Sequence, residues 1–97
     1  MKQIYLFDKS CDIRKPCIIF NSSIKFTIDW WQAAIYKGHR YITSVDISDK
    51  RRSFEDNLAF IGEHKKQFEK SVINALLEVD KEVLSILLAK RPLGILI

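Results

Sequence analysis

Two cysteines, two prolines and three glycines are scattered along 97 residues, and each scarcity removes a class of chemistry. Two cysteines are too few for a disulfide scaffold and read as free thiols of a reducing compartment. Gly38, Gly62 and Gly94 stand isolated, so no glycine-rich loop is available to cradle a phosphate. The apolar runs fall far short of a bilayer span. Met1-Lys2-Gln3-Ile4-Tyr5 lacks the basic-then-apolar layout of a secretory signal. The expectation is a cytoplasmic chain with no membrane span.

Metal and acid–base chemistry are also poorly served. Cys11, Cys17, His39 and His64 are the soft and imidazole ligands on offer, with five residues between the cysteines and twenty-four between the histidines. A structural zinc site pairs ligands two to four residues apart, so that one turn presents both. Cys17 or Ser10 could be drawn beside His39 and Asp46, but no spacing makes a nucleophile, base and orienting group converge. Glu55-Asp56 falls on an expected helix surface, where a solvated pair is the ordinary reading. The sequence therefore implies no enzyme, no catalytic residue, no metal, no cofactor and no small-molecule substrate.

What is present is a core. Hydrophobic residues make up 47% of the chain and charged residues 29%, a globular balance that fits one small domain over residues 1–97. Gln3 to Phe7 reads as a short strand and residues 8 to 16 as a polar connection. Cys17 to Phe20 reads as a second strand, closed by the turn residues Asn21-Ser22-Ser23. Residues 24 to 31 can be read two ways. Ile24, Phe26, Ile28 and Trp30 alternate as in a strand, while Thr27, Asp29 and Lys37-Gly38 suit a capped helix. The reading adopted is an extended lead-in at 24–26 and a helix from about residue 28 to residue 37. Tyr41, Thr43, Val45 and Ile47 then alternate through a third strand at 40–47.

From Ser53 onward the period changes. Ser53 with Asp56 resembles a capping box, and Phe54, Leu58, Ile61, Phe68, Val72, Leu76, Val79, Val83 and Ile86 recur at threes and fours. One helix over 53–90 would be roughly 57 Å long, too long for so small a domain. A break is expected at Gly62 and residues 63–66. Ile73, Leu77, Leu84, Leu87 and Leu88 add a second apolar stripe, so the C-terminal helix reads as long and apolar. The fold expected is α+β: a small antiparallel sheet of about three strands packed against three helices.

Function is left to two surfaces. The first 52 residues carry ten basic side chains against five acidic ones, and residues 53–97 carry six against seven. One expectation is a protein-binding module that modulates or inhibits a larger partner, in the manner of phage inhibitors, immunity or antitoxin proteins and adaptors. That placement is an analogy from size and missing chemistry. Its contact residues would be Trp30, Trp31, Arg51, Arg52 and the apolar tail Leu93, Ile95, Leu96 and Ile97, with residues 91–97 as a docking segment for another protein or a second copy. The alternative is a small basic nucleic-acid-binding domain using Arg14, Lys15, Lys37, Arg40, Lys50, Arg51 and Arg52 near stacking aromatics.

Overall fold

The computed structural model describes residues 3–20 and 23–89. They form a six-stranded antiparallel meander in sequence order: β1 (Gln3–Leu6), β2 (Lys9–Arg14), β3 (Cys17–Ile19), β4 (Ile24–Ile28), β5 (Gln32–Lys37) and β6 (Arg40–Asp46). Three helices follow, α1 (Phe54–Glu63), α2 (Lys65–Val79) and α3 (Lys81–Leu88). The class is α+β, but the sheet is twice the size expected.

Three strands are additional: β4 extends the lead-in expected at 24–26 through Ile28, and β2 and β5 lie in segments read otherwise from sequence. Residues 9–14 are a strand and not a polar connection, because Cys11 and Ile13 alternate with Ser10, Asp12 and Arg14 and are paired on both sides, to β1 and β3. Residues 32–37 are β5 and not a helix. Ala33 and Ile35 point inward opposite Ile28 and Phe26, and the neighbouring strands supply every alternate contact that a helix would have sought along itself. Gly38 is not a helix end but the first residue of a two-residue hairpin turn, at φ 63°, with Lys37 opposite Arg40.

Inward residues form continuous rows. Ile13, Ile18, Phe26 and Ile35 lie side by side across β2 to β5, and Ile28, Ala33 and Val45 across β4 to β6. A chain of rings crosses the core from Phe7 to Phe20 (6.3 Å), on to Phe26 (4.8 Å), and finally to Phe68 of α2 (6.1 Å). Offset and edge-on pairs of this kind add to the burial of the rings themselves.

The long apolar C-terminal helix does not exist: the stripe is cut twice. His64, at φ −119° and ψ 41°, separates α1 from α2, and Asp80, extended at φ −154° and ψ 92°, separates α2 from α3. Asp80 accepts the Val83 N–H through its carboxylate, an N-cap that restarts the helix without breaking the threes-and-fours spacing. That continuity of spacing is why Asp80 is silent in the sequence. The apolar tail, residues 91–97, lies outside the described residues.

Helix α2 touches both ends of the sheet. It packs along β6, its Lys65 ammonium lies 5.6 Å from the Tyr5 ring of β1, and Glu69 accepts the Phe7 backbone N–H at 2.7 Å. Six flat strands would set β1 and β6 roughly 24 Å apart, whereas a helix with its side chains is about 10–12 Å wide. The sheet must therefore curl around α2, which sits in the gap between its first and last strands. No described helix is long and apolar enough to cross a membrane.

Candidate functional site

One end of the curled sheet gathers the turn before β3, the β4–β5 loop and the segment from Ile47 to Ser53. They are joined by backbone bonds, since Ile28 donates to the Pro16 carbonyl at 2.8 Å and Ile47 to the Trp31 carbonyl at 2.7 Å. The opposite end carries Phe7-Asp8, Ser23 and Gly38-His39, where Gly38 donates to the Ser23 carbonyl. This division decides which candidate residues can act together.

Trp30, Trp31, Arg51 and Arg52 do come together. Trp30 is 52% exposed and Trp31 37%, with ring centroids 6.2 Å apart and planes inclined by 47°. The Arg51 guanidinium carbon lies 4.2 Å from the Trp30 centroid and 5.4 Å from that of Trp31. Arg52 turns the other way and lies 5.0 Å over Phe60 of α1. The result is two bare indoles bridged by one cation.

Short local bonds hold this arrangement. Arg52 donates its backbone N–H to the Trp30 carbonyl at 2.7 Å, clamping the two loops together. Ser48 Oγ accepts from Lys50 N–H and from Arg52 Nε, both at 3.2 Å, and donates to the Lys50 carbonyl at 2.8 Å. Asp29 Oδ1 takes the Trp30 N–H at 2.8 Å. Beneath them Asn57 of α1, fully buried, donates Nδ2 to the carbonyls of Asp29 (2.9 Å) and Trp30 (3.3 Å). Ser53 accepts the Asp56 N–H at 3.1 Å and so starts α1 where Asn57 can reach the loop.

Asn57 and Ser48 are the organising residues that sequence reasoning missed. A signal for Asn57 existed, because it falls three residues after Phe54 and four before Ile61, on the apolar stripe. A polar side chain there must find partners inside. Ser48 carries no comparable signal.

The basic set is divided. Arg14, Lys15, Lys50, Arg51 and Arg52 belong to the tryptophan end, whereas Lys37 and Arg40 flank the turn at the other. Several are already paired: Lys15 with Glu55 at 3.5 Å, Arg14 with Asp12 at 3.7 Å, and Arg40 with Asp80 at 3.2 Å. No single basic stripe spans all seven.

The metal and catalytic candidates are likewise dispersed. Cys11 faces the core and Cys17, alternating with inward Ile18, faces outward. His39 sits at the opposite end of β6 from Asp46, seven strand residues or roughly 20 Å away. Among the described residues no three His, Cys, Asp or Glu side chains cluster to hold a metal ion. Burial pushes the Cys11 thiol up to about 11, so it stays protonated at neutral pH. Compared with known protein families, with curated proteins and with solved structures, the chain finds no match in any of the three. Geometry alone must carry the functional reading.

Proposed function

We propose that this chain is a non-catalytic protein-binding module that modulates or inhibits a larger partner, docking through the Trp30–Trp31–Arg51 face. The observation that carries it is the pair of exposed indoles beside an exposed cation, on loops whose backbone is fixed by hydrogen bonds. Tryptophan and arginine dominate protein interfaces because each buries a large area or several donors at small loss of freedom. Here much of that loss is already met, since both tryptophan carbonyls are bonded and the loop is pinned to α1. Regulatory partners of this kind need no catalytic group, which fits the dispersal of the acid–base candidates.

The nucleic-acid reading draws on the same aromatics and cations. It is the weaker one, because phosphates recur every few ångströms and ask for a track of unpaired cations. The chain divides its basic residues between two ends and pairs three of them with carboxylates.

A photocrosslinking amino acid at exposed Lys50, beside the tryptophans, tests the proposal in extract from the native cell. A discrete protein adduct is expected, lost in Trp30→Ala and absent when the crosslinker replaces His39 at the far end. An adduct only to nucleic acid, or none at either position, overturns the reading. A covalent dimer would identify a second copy as the partner.

A further inference from the structure

We propose that the occupant of the Trp30–Trp31–Arg51 face is a segment of a partner protein presenting a carboxylate next to an apolar side chain. The inference rests on the protein-docking reading above and names the chemistry of the partner.

Arg51 is the starting point. Its guanidinium contacts the two indole rings, and among the described residues no carboxylate or carbonyl takes any of its N–H groups. Of the neighbouring cations, Lys50 is exposed with no partner for its ammonium among the described residues, but it is not held against a ring as Arg51 is, and the other three are engaged. Lys15 faces Glu55, Arg14 faces Asp12, and Arg52 gives its Nε to Ser48 while lying over Phe60. Arg51 is thus a held cation whose planar fork of donors has no acceptor among the described residues, and such a fork matches the two oxygens of one carboxylate.

The surroundings decide between a single carboxylate and a polyanion. Asp29, Asp46 and Asp49 are all exposed around the same loops, and Asp29 is tied to the Trp30 N–H. A phosphodiester chain laid across Arg51 would run past these acids at close range, where like charges repel. An isolated carboxylate meets Arg51 alone. Beside it the Trp30 and Trp31 rings remain exposed at 52% and 37%, an apolar floor for the residue adjacent to the acid. The recognised unit is therefore an acidic residue flanked by a leucine, isoleucine, valine, methionine or phenylalanine.

The protein carries its own reporter, because Trp30 and Trp31 are its only two tryptophans. The full chain, immobilised, would select from a phage-displayed library of random twelve-residue peptides. Synthetic copies of the enriched peptides would then be titrated while tryptophan emission is followed. The expected result is enrichment of Asp or Glu beside an apolar residue, with a shift in emission on binding. Arg51→Gln should weaken binding at least tenfold, Arg51→Lys less, and acid-to-amide replacement in the peptide about as much as Arg51→Gln. The two changes together should weaken binding little more than either alone, the signature of one shared contact.

Circular dichroism of Arg51→Gln checks that the exposed loop change leaves the fold intact. Enriched peptides without acids, affinity within twofold in Arg51→Gln, or no enrichment at all would overturn the carboxylate assignment. In each of those cases a Trp30-dependent protein adduct at position 50 would leave the docking reading standing. A twelve-nucleotide oligothymidine that shifts tryptophan emission at lower concentration than any peptide would overturn both.

Discussion

Asn57 donates its side-chain amide to the Trp30 carbonyl at 3.3 Å, across 27 residues of sequence, and to Asp29 next to it at 2.9 Å. One buried side chain thereby sets the height of the tryptophan loop above α1. Its own Oδ1 has no hydrogen-bond partner. Asn57→Ala should destabilise the domain by about 1–3 kcal/mol, because the Asp29 carbonyl loses its donor while the Trp30 carbonyl keeps the Arg52 N–H. Asn57→Asp should be worse, because it replaces the donor with a second acceptor and buries a charge. Urea denaturation measures both. If Asp were tolerated as well as Ala, the amide would not be the clamp described.

Gly62 marks a place where stability can be raised. It lies within α1, not at the break, which falls at His64, and an added Cβ would meet nothing within 4 Å. Gly62→Ala should therefore stabilise by about 0.5–1 kcal/mol through the helix preference of alanine. Loss of stability in a thermal melt would show that the break depends on the glycine.

The two thiols should behave differently. Cys11 is fully buried with its thiol pushed up to about 11, whereas Cys17 is half-buried on the outer side of β3. Iodoacetamide at about pH 8 should label Cys17 in the folded protein and reach Cys11 only after denaturation, because the thiolate is the reactive form. Mass spectrometry of the labelled peptides reads the order. Equal labelling would place Cys11 outside the core.

Asp80 gives a pH dependence whose sign follows from its bonds. Its carboxyl is held below the ordinary 3.8, first by the Val83 N–H it accepts and then by the hydrogen bond and charge of Arg40. A depressed carboxyl supplies stability that is present above the unfolded value and disappears as the pH falls through the folded one. Melting temperature should therefore drop on acidification below pH 3.8, and Asp80→Asn should flatten that part of the curve. A curve unchanged by Asp80→Asn would separate the cap from acid stability.

How much of this is legible in the sequence depends on which partner each residue finds. Tyr41 to Ile47 declares a strand by its alternation, although the register shift opposite Ile35 and Tyr36 turns Ile42 inward and leaves Tyr41 exposed. Ser53 declares a helix start because its partner is three residues away. The segment 28–37 misleads because Trp31, Ala34 and Ile35 also fit one helical face. Only Phe26 and Ile28 opposite, across a loop, show that Ile35 and Ala33 belong to a sheet. Phe7-Asp8 hides a hairpin turn for another reason. Both residues adopt positive φ, 54° and 61°, where glycine or asparagine is the usual sign. Phe7 is held there by its burial against Phe20, a tertiary cause with no local signature. At the candidate site the exposed tryptophans and arginines are readable as types. The contact between Arg51 and Trp30 is not, because it depends on where the ends of β4 and β6 are brought.

The position of α2 between the first and last strands has a consequence for how the protein behaves in a crowded solution. An antiparallel sheet with free margins can recruit strands from other molecules and grow, the route to swapped and fibrous assemblies. Here the turn at the end of β1 gives the Phe7 N–H to Glu69, Tyr5 of β1 meets Lys65, and β6 lies along the same helix. A newcomer approaching β6 meets the side chains of α2. Growth along β6 would first require α2 to be lifted away, together with the Phe68 ring that ties it to the core.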